Sequence, residues 1–141
     1  MKLAPPPEIV RPSQRQKLLA AARAVRARAH APYSRFRVGA AVLDERGRIH
    51  AGCNVENASY GLTVCAERNA IAAAVAAGAR RIDAVAVVSA AAVTPCGACR
   101  QVIAELATAA TTVLIASPKA LVSETTVGAL LPYAFTFKRR R

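Results

Sequence analysis

Residues 82–106 read IDAVAVVSAAAVTPCGACRQVIAEL, and this stretch contains the pattern that decides the fold. Ile82–Ser89 is an apolar run rich in β-branched residues, which is typical of a buried strand. Pro95 precedes residues 96–106, which have the spacing of a helix. The apolar side of this predicted helix carries Val102, Ile103 and Leu106. A strand followed directly by a helix is the repeating unit of layered α/β proteins, so the stretch predicts an α/β domain.

The residues before this stretch predict a helix and a hairpin. Residues 13–16, Ser-Gln-Arg-Gln, have the form of a capping box, and apolar residues at helical spacing extend the helix to about His30. The runs 38–43 and 48–55 are strand-like. Gly47 lies between them and suits a short hairpin connection, so the two strands are predicted to pair antiparallel.

Three further segments complete the predicted architecture. Residues 65–77 predict a second helix, because they are rich in Ala and Ile and end at Gly78, which accepts the positive φ of a helix end. Residues 111–116 predict another strand, and a short apolar stretch at 127–131 precedes an extended tail. Strands that alternate with helices favour a three-layer α/β/α sandwich with a mixed sheet of about five strands.

Length and composition indicate one domain. The chain has 141 residues, of which 54% are hydrophobic, and no apolar run approaches the roughly 18 residues of a membrane span. Its N-terminus is proline-rich and lacks the apolar core of a signal peptide. We therefore expect a cytoplasmic protein without membrane contacts.

The net charge of +12 lies at the two ends of the chain. Residues 1–37 carry +8 and residues 138–141 carry +4, so the stretch between them is neutral. This placement argues against a nucleic-acid partner, which would need a basic face on the folded domain. We expect a flexible N-terminal segment at 1–12, the domain at 13–137 and a solvated basic tail at 138–141.

Three cysteines mark the starts of the predicted second and third helices. A thiolate at a helix N-terminus is stabilised by unpaired N–H groups and by the helix dipole, which favours the metal-binding form. Cys65 begins one helix, and Cys96 and Cys99 begin the other. Three thiolates supply three ligands of a tetrahedral zinc and leave the fourth position open, as in catalytic zinc sites.

Two further residues, Cys53 and Glu67, distinguish between the possible functions of this cysteine motif. Alternation along the second strand directs Cys53 away from Asn54 and Glu56, so we interpret Cys53 as a buried thiol and not as a fourth ligand. The Cys-x-x-Cys pair alone is equally consistent with a redox motif. Glu67 favours zinc, because it can reach a metal-bound water and pass its proton to a substrate nitrogen. Arg68 is placed to compensate the negative charge of three thiolates.

Four runs of the sequence resemble one family. They are residues 31–40 (APYSRFRVGA), 52–61 (GCNVENASYG), 65–68 (CAER) and 95–101 (PCGACRQ). In order and spacing they closely resemble the small tetrameric zinc-dependent cytidine deaminases, over residues 13 to about 135. Zinc deamination of nucleobases is a known chemistry in which a glutamate that does not bind the metal acts as general acid and base.

The resemblance implies a role for each candidate residue. Cys65, Cys96 and Cys99 would hold one zinc, and Glu67 would carry protons to N3 of cytosine and to the departing ammonia. Uridine or deoxyuridine would be the product, in a pyrimidine-salvage reaction on a small nucleoside. The resemblance implies substrate contacts from Phe36, Asn54, Glu56, Tyr60, the Ala66 N–H and Phe135, with Phe135 supplied by a neighbouring subunit of a homotetramer that shares its active sites.

Other readings remain open at this point. Nucleoside deaminases of the blasticidin type resemble the same metal motif, although residues 54–60 favour cytidine. A deaminase of cytosine in a polynucleotide would bind with a steep dependence on salt. A non-catalytic zinc protein would hold its metal in a closed site and would not depend on Glu67. His30 and His50 match no ligand position, and we expect both to be surface or structural residues.

Overall fold

The structure is a computed structural model that describes residues 10–137. The predictions for residues 1–9 and 138–141 therefore lie outside the described residues. The helices are α1 (Pro12–Arg26), α2 (Ala66–Ala76), α3 (Gly97–Leu106) and the short α4 (Val127–Leu130). The strands are β1 (Val38–Asp44), β2 (Ile49–Cys53), β3 (Ile82–Ser89), β4 (Thr112–Ala116) and β5 (Leu121–Thr126). A 3-10 turn, Tyr60–Leu62, precedes α2.

The five strands form one mixed sheet in the order β2-β1-β3-β4-β5. The predicted hairpin is confirmed, because β1 pairs antiparallel with β2, from Gly39 opposite Cys53 to Leu43 opposite Ile49. β1 is also antiparallel to β3, and β4 is antiparallel to β5. β3 and β4 are parallel, and α3 provides the connection between them. Parallel neighbours need such a crossover, which agrees with the strand-then-helix pattern of residues 82–106.

Helices cover both faces of the sheet, so the predicted three-layer sandwich is confirmed. Alternate residues of β1 separate the two cores, with Val42 on one side and Leu43 on the other. One core packs the sheet against α1, through residues such as Leu18 and Ala22. The other core joins the sheet to α2, α3 and α4. The helices α2 and α3, whose starts carry the candidate metal ligands, therefore lie on the same face of the sheet.

Gly52 allows α2 to lie directly on β2. A Cβ atom added at Gly52 would lie 2.4 Å from the Ala70 N and 2.9 Å from the Ala66 O, distances that no side chain tolerates. This close approach fixes the start of α2 beside the end of β2. Cys65 and Glu67 are thereby brought next to the residues that follow Cys53. At the other end of α2, Gly78 has a φ of 93°, as its position after the helix predicted.

Several predicted boundaries were wrong. α1 begins at Pro12, where the Gln14 side chain accepts a hydrogen bond from the Arg11 N–H, and not behind a Ser13 cap. It ends at Arg26, because His30 instead pairs with Val55 and donates its N–H to the Asn54 carbonyl. The second strand ends at Cys53 and not at residue 55.

The edge strand β5 was not placed by the sequence analysis. Its sequence, LVSETT, has four exposed residues followed by two half-buried ones, so it lacks the periodicity of a half-buried strand. Its pairing with β4 defines it instead. None of the helices in residues 10–137 has the length and hydrophobicity of a membrane span.

Candidate active site

The helix starts bring three thiols together on one face of the sheet. Cys65 is the N-cap of α2, Cys96 is the N-cap of α3, and Cys99 lies in the first turn of α3. Their three Sγ atoms lie within 4.8 Å of one another. Cys53 is half-buried, less than predicted, and is not part of this cluster.

The spacing of the thiols fits a tetrahedral metal. The Sγ atoms of Cys65 and Cys96 are 3.9 Å apart. Four ligands at the usual Zn–S length of about 2.3 Å would stand about 3.8 Å from one another, which is close to this distance. A disulfide, in contrast, needs about 2.05 Å between its sulfur atoms, and all four cysteines are free. The chemistry and geometry of the donor set therefore fit zinc.

Hydrogen bonds stabilise a thiolate in this cluster. A hydrogen bond from the Cys99 thiol outweighs the opposing effect of burial and, together with Arg68, lowers the pKa of Cys65 to about 5. The Arg68 Nη2 lies 3.8 Å from the Cys65 Sγ and 3.2 Å from the Thr63 carbonyl oxygen, to which it donates. The hydrogen bond with Cys65 and burial raise the pKa of Cys99. Arg68 thus lies where the sequence analysis expected a compensating charge.

Glu67 is a buried carboxyl next to the thiols. It lies in the first turn of α2 and is 5% exposed. Burial, with a contribution from the charge of Cys65, raises the pKa of Glu67 above the usual range of a carboxyl. A carboxyl that releases its proton less readily is suited to accept and return protons during a reaction.

Glu67, Cys65 and Cys96 line one cavity of about 230 Å³, whereas Cys99 is fully buried. Five parts of the chain line it: residues 34–38, the segment that follows β2, residues 63–67 at the start of α2, Val87 of β3 and the loop before α3. Among the residues predicted to contact substrate, those in its lining are Phe36, Asn54, Glu56 and Ala66. The cavity combines apolar walls with a few convergent polar groups, as small-molecule sites usually do.

A second cavity of about 380 Å³ adjoins the first and shares Ser34, Glu56 and Thr63 with it. Tyr60 lines this second cavity, where its ring meets that of Tyr33 edge to face at a centroid distance of 5.5 Å. Together the two cavities form a cleft that runs from the thiols past Glu56 to the tyrosine pair.

The polar groups of this cleft are held by hydrogen bonds from the loop before β1. The Glu56 Oε1 accepts from the Tyr33 N–H at 2.9 Å and the Ser34 N–H at 3.1 Å, and its Oε2 accepts from the Ser34 hydroxyl. These bonds, the one from the Ser34 hydroxyl above all, lower the pKa of Glu56. Glu56 is therefore a fixed anion.

Asn54 connects the end of β2 to the same loop. Its Oδ1 accepts from the Val38 N–H at 2.8 Å, and its Nδ2 donates to the Phe36 carbonyl at 2.7 Å. An amide group has two donors and two lone pairs, so each end retains one further hydrogen-bonding position. Asn54 thus both holds the loop and lines the cavity.

Two groups of predicted residues lie elsewhere in the chain. Phe135 is 66% exposed and does not line the cleft of its own chain, although its carbonyl accepts a hydrogen bond from the Gln101 side chain. His50 is half-buried and its Nε2 lies 2.8 Å from the Asp44 Oδ2, whereas His30 is exposed. Neither histidine belongs to the thiol cluster.

The residues of this cavity that were not predicted as site residues are Ser34, Val38, Thr63, Val87, Val93 and Thr94. Ser34 holds Glu56 from 22 positions away, and Thr94 lies in an irregular loop. Periodicity carries no information about either contact. Ser34 lies inside the quoted run 31–40 and Thr94 directly precedes the run 95–101, and this is the one signal that could have found them.

This arrangement of thiols and carboxyl defines a class of zinc-binding deaminases. Residues 12–116 match the family model described as the cytidine and deoxycytidylate deaminase zinc-binding region, and the chain belongs to this family. Its cofactor is one zinc ion per chain, which the cluster of Cys65, Cys96 and Cys99 fits.

Individual relatives are similar over most of the chain. The cytidine deaminase of Sporosarcina psychrophila is 49% identical over 123 residues, which cover 86% of this chain and 90% of that protein. The cytidine deaminase of Halalkalibacterium halodurans is 51% identical over 124 residues. The crystal structure of cytidine deaminase from Burkholderia pseudomallei has a TM-score of 0.81 and 48% identity, and covers 85% of this chain and 98% of that one.

Proposed function

We propose that this chain catalyses the hydrolytic deamination of cytidine and deoxycytidine to uridine and deoxyuridine, with release of ammonia. The observation that carries the proposal is the buried Glu67, which lines, together with Cys65 and Cys96, a cleft that continues past Glu56. One end of this cleft has the groups for hydrolysis of an amine, and its middle has a fixed anion, Glu56, suited to hydroxyl donors. Relatives of about half-identical sequence are named cytidine deaminases.

Cys65, Cys96 and Cys99 would hold the zinc. When bound, zinc supplies Lewis acidity that makes water a nucleophile near neutral pH. Arg68 is already within 3.8 Å of the Cys65 sulfur, so it offsets part of the negative charge that three thiolates bring.

Glu67 would move the protons. As the water oxygen bonds to C4, the carboxylate takes one of its protons and delivers it to N3 of cytosine. The carboxylate then moves the second proton of that oxygen to the N4 amine, and the C4–N4 bond breaks. Water thus supplies the oxygen at C4 and ammonia carries away the nitrogen, so the reaction balances. The raised pKa of Glu67 supports this role, because a carboxyl whose pKa lies closer to neutral pH can both accept and release a proton there.

The remaining cleft residues would position the nucleoside. The Ala66 N–H, at the start of α2, donates to the pyrimidine carbonyl, and Phe36 lies beside the base. Glu56 accepts a hydrogen bond from a ribose hydroxyl. The side-chain amide of Asn54 uses a free position to form a further hydrogen bond with the ribose. Tyr60 closes the far end of the cleft. Each of these residues lines one of the two cavities.

Phe135 would complete the site of a neighbouring subunit in a homotetramer with shared active sites. The exposure of its ring supports this assignment, because it lies outside the cleft of its own chain. We assign the reaction to pyrimidine salvage in the cytoplasm.

The test is a comparison of substrates. The zinc-loaded protein is incubated separately with cytidine, deoxycytidine, blasticidin-type aminonucleosides and single-stranded DNA and RNA that contain cytosine, and the deaminated products are measured by chromatography. The Glu67→Gln variant is the control. We expect conversion of cytidine and deoxycytidine alone. Conversion of the polymers alone or of the aminonucleoside alone would replace this function with the matching alternative, and no conversion by the zinc-loaded protein would overturn it.

A further inference from the structure

Arg100 joins three separate segments through its guanidinium group. Its Nε donates to the Pro95 carbonyl at 2.7 Å, its Nη2 donates to the Thr94 Oγ1 at 3.0 Å, and its Nη1 donates to the Leu130 carbonyl at 2.8 Å. Arg100 directly follows Cys99 on α3. It therefore links α3 both to the loop before that helix and to the end of α4.

The loop that Arg100 holds forms part of the cleft. Val93 and Thr94 line the cavity together with Cys96, the thiol at the loop's end. Ala92 has a φ of 50°, a left-handed conformation that is unfavourable for a residue with a Cβ. The loop therefore needs contacts that hold it in this conformation, and the bonds of Arg100 to Pro95 and Thr94 are two of them.

The other end of the connection is the C-terminal segment. Leu130 is the last residue of α4, and residues 131–137 follow it. Gln101, the next residue on α3, donates from its side chain to the Phe135 carbonyl at 3.0 Å. Two consecutive residues of α3 thus attach this segment to the helix that carries Cys99.

The geometry of the three bonds requires arginine. A guanidinium is planar and presents its donors in fixed directions, so it can bond several carbonyl and hydroxyl oxygens at once. A lysine ammonium is a compact charge at the end of a flexible stem, and it cannot reproduce three bonds at 2.7–3.0 Å from three separate nitrogen atoms.

We propose that Arg100 is a positioning residue, which fixes the Thr94-Pro95-Cys96 loop against α3 and α4 and thereby sets the place of the Cys96 thiol relative to Cys99. The predicted effect of Arg100 on turnover rests on the proposed function. Its predicted effect on the metal site rests on the thiol cluster alone. Groups that hydrogen-bond metal ligands typically contribute about 10- to 100-fold to metal affinity or activity, and Arg100, which bonds the residue before Cys96 and not the thiol, is expected at the lower end of this range.

The test uses Arg100→Lys, which keeps the charge and removes the fixed donors, with Arg46→Lys as a matched control on the exposed hairpin loop. Three quantities are measured on the full chain: the rate of zinc release to a chelator, the absorption bands of the cobalt-substituted protein, and kcat and KM for cytidine at equal zinc occupancy. We expect Arg100→Lys to release zinc about tenfold faster and to shift the cobalt bands, and Arg46→Lys to behave as the wild type.

A second variant keeps the test decisive if Arg100→Lys fails to fold. Thr94→Val removes one of the three bonds and preserves the size of the side chain, so it should release zinc about two- to fivefold faster. Wild-type zinc release and cobalt bands in Arg100→Lys, or in Thr94→Val when the first variant does not fold, would overturn the proposal. Failure of the wild-type protein to convert cytidine would overturn the proposed function instead and would leave both metal measurements valid.

Discussion

The Sγ atoms of Cys65 and Cys96 lie 3.9 Å apart, although 31 positions separate the two residues in the chain. Each is the N-cap of a different helix, and both helices pack on the same face of the sheet. Gly52 contributes to this convergence because it lets α2 approach β2 closely. The metal site is thus produced by the packing of two helix starts, and Cys99 adds the third thiol one turn into α3.

Removal of one thiol should release the zinc. In Cys96→Ala only two of the clustered thiols remain, and because zinc binding contributes to folding, we expect loss of bound metal and a lower free energy of unfolding. Elemental analysis after gel filtration and urea unfolding measure the two effects. Cys53→Ala is the matched control, since Cys53 lies outside the cluster, and it should retain full zinc. Full zinc content in Cys96→Ala would contradict its assignment as a ligand.

Ser34 should affect substrate binding through Glu56. Ser34→Ala removes the hydroxyl that donates to the Glu56 Oε2 and leaves the two backbone donors in place. One hydrogen bond contributes about 1 kcal/mol, so we expect KM for cytidine to rise about fivefold with little change in kcat. Steady-state kinetics measure both constants. Ser123→Ala, on the exposed part of β5, should match the wild type. A fall in kcat at unchanged KM would contradict the assignment of Glu56 to binding.

Asp44 should control the stability of the protein in acid. It is 1% exposed, and although burial raises its pKa, hydrogen bonds from His50, from the backbone of Arg48 and Arg46 and from the Arg48 side chain together lower it to about 2. A carboxyl with a lowered pKa stabilises the fold above its unfolded pKa and loses that effect as pH falls through its folded pKa. The shift from 3.8 corresponds to about 2 kcal/mol.

Urea unfolding of the wild type and Asp44→Asn between pH 6 and about 2 tests this prediction. The difference in unfolding free energy between the two proteins should shrink by about 2 kcal/mol as pH falls from about 5 to 2. Glu124→Gln removes a more exposed carboxylate, the partner of Arg15, and its difference should depend less on pH. A difference for Asp44→Asn that stays constant with pH would contradict this account of the hairpin.

Shared active sites should allow two defective variants to complement each other. If Phe135 closes the site of a neighbouring subunit, a mixed oligomer of Glu67→Gln and Phe135→Ala chains contains sites with both an intact Glu67 and an intact Phe135. Co-expression should then give more uridine formation than the average of the two variants expressed alone. Activity equal to that average, or a monomer with full activity in sedimentation velocity, would contradict shared sites.

The sequence contained most of the scaffold and the centre of the site. Helix starts at Cys65 and Cys96 were readable because the cysteines precede Ala-rich and apolar helical segments, and β3 was readable as a buried β-branched run. Alternation along the second strand placed Asn54 and Glu56 together. Both line the cavity, yet β2 ends at Cys53, and loop hydrogen bonds hold the two side chains instead.

The contacts that complete the site could not be predicted from the sequence. Ser34 meets Glu56, and Arg100 meets Leu130, across loops whose paths depend on the packing of the whole domain. The edge strand β5 was missed for a related reason, because its pairing partner and not its own pattern makes it a strand. Local spacing specifies helices and strands, whereas loop contacts between distant residues arise only after these elements have packed.

The most direct test of the central claim compares uridine formation from cytidine by the wild type and by Glu67→Gln at equal, measured zinc content. Glutamine preserves the size of the side chain but cannot carry a proton. General acid–base catalysis contributes roughly 10²- to 10⁴-fold, so we predict a loss of turnover of at least that order with zinc retained. Turnover within a few-fold of the wild type in a zinc-loaded Glu67→Gln protein would contradict the account.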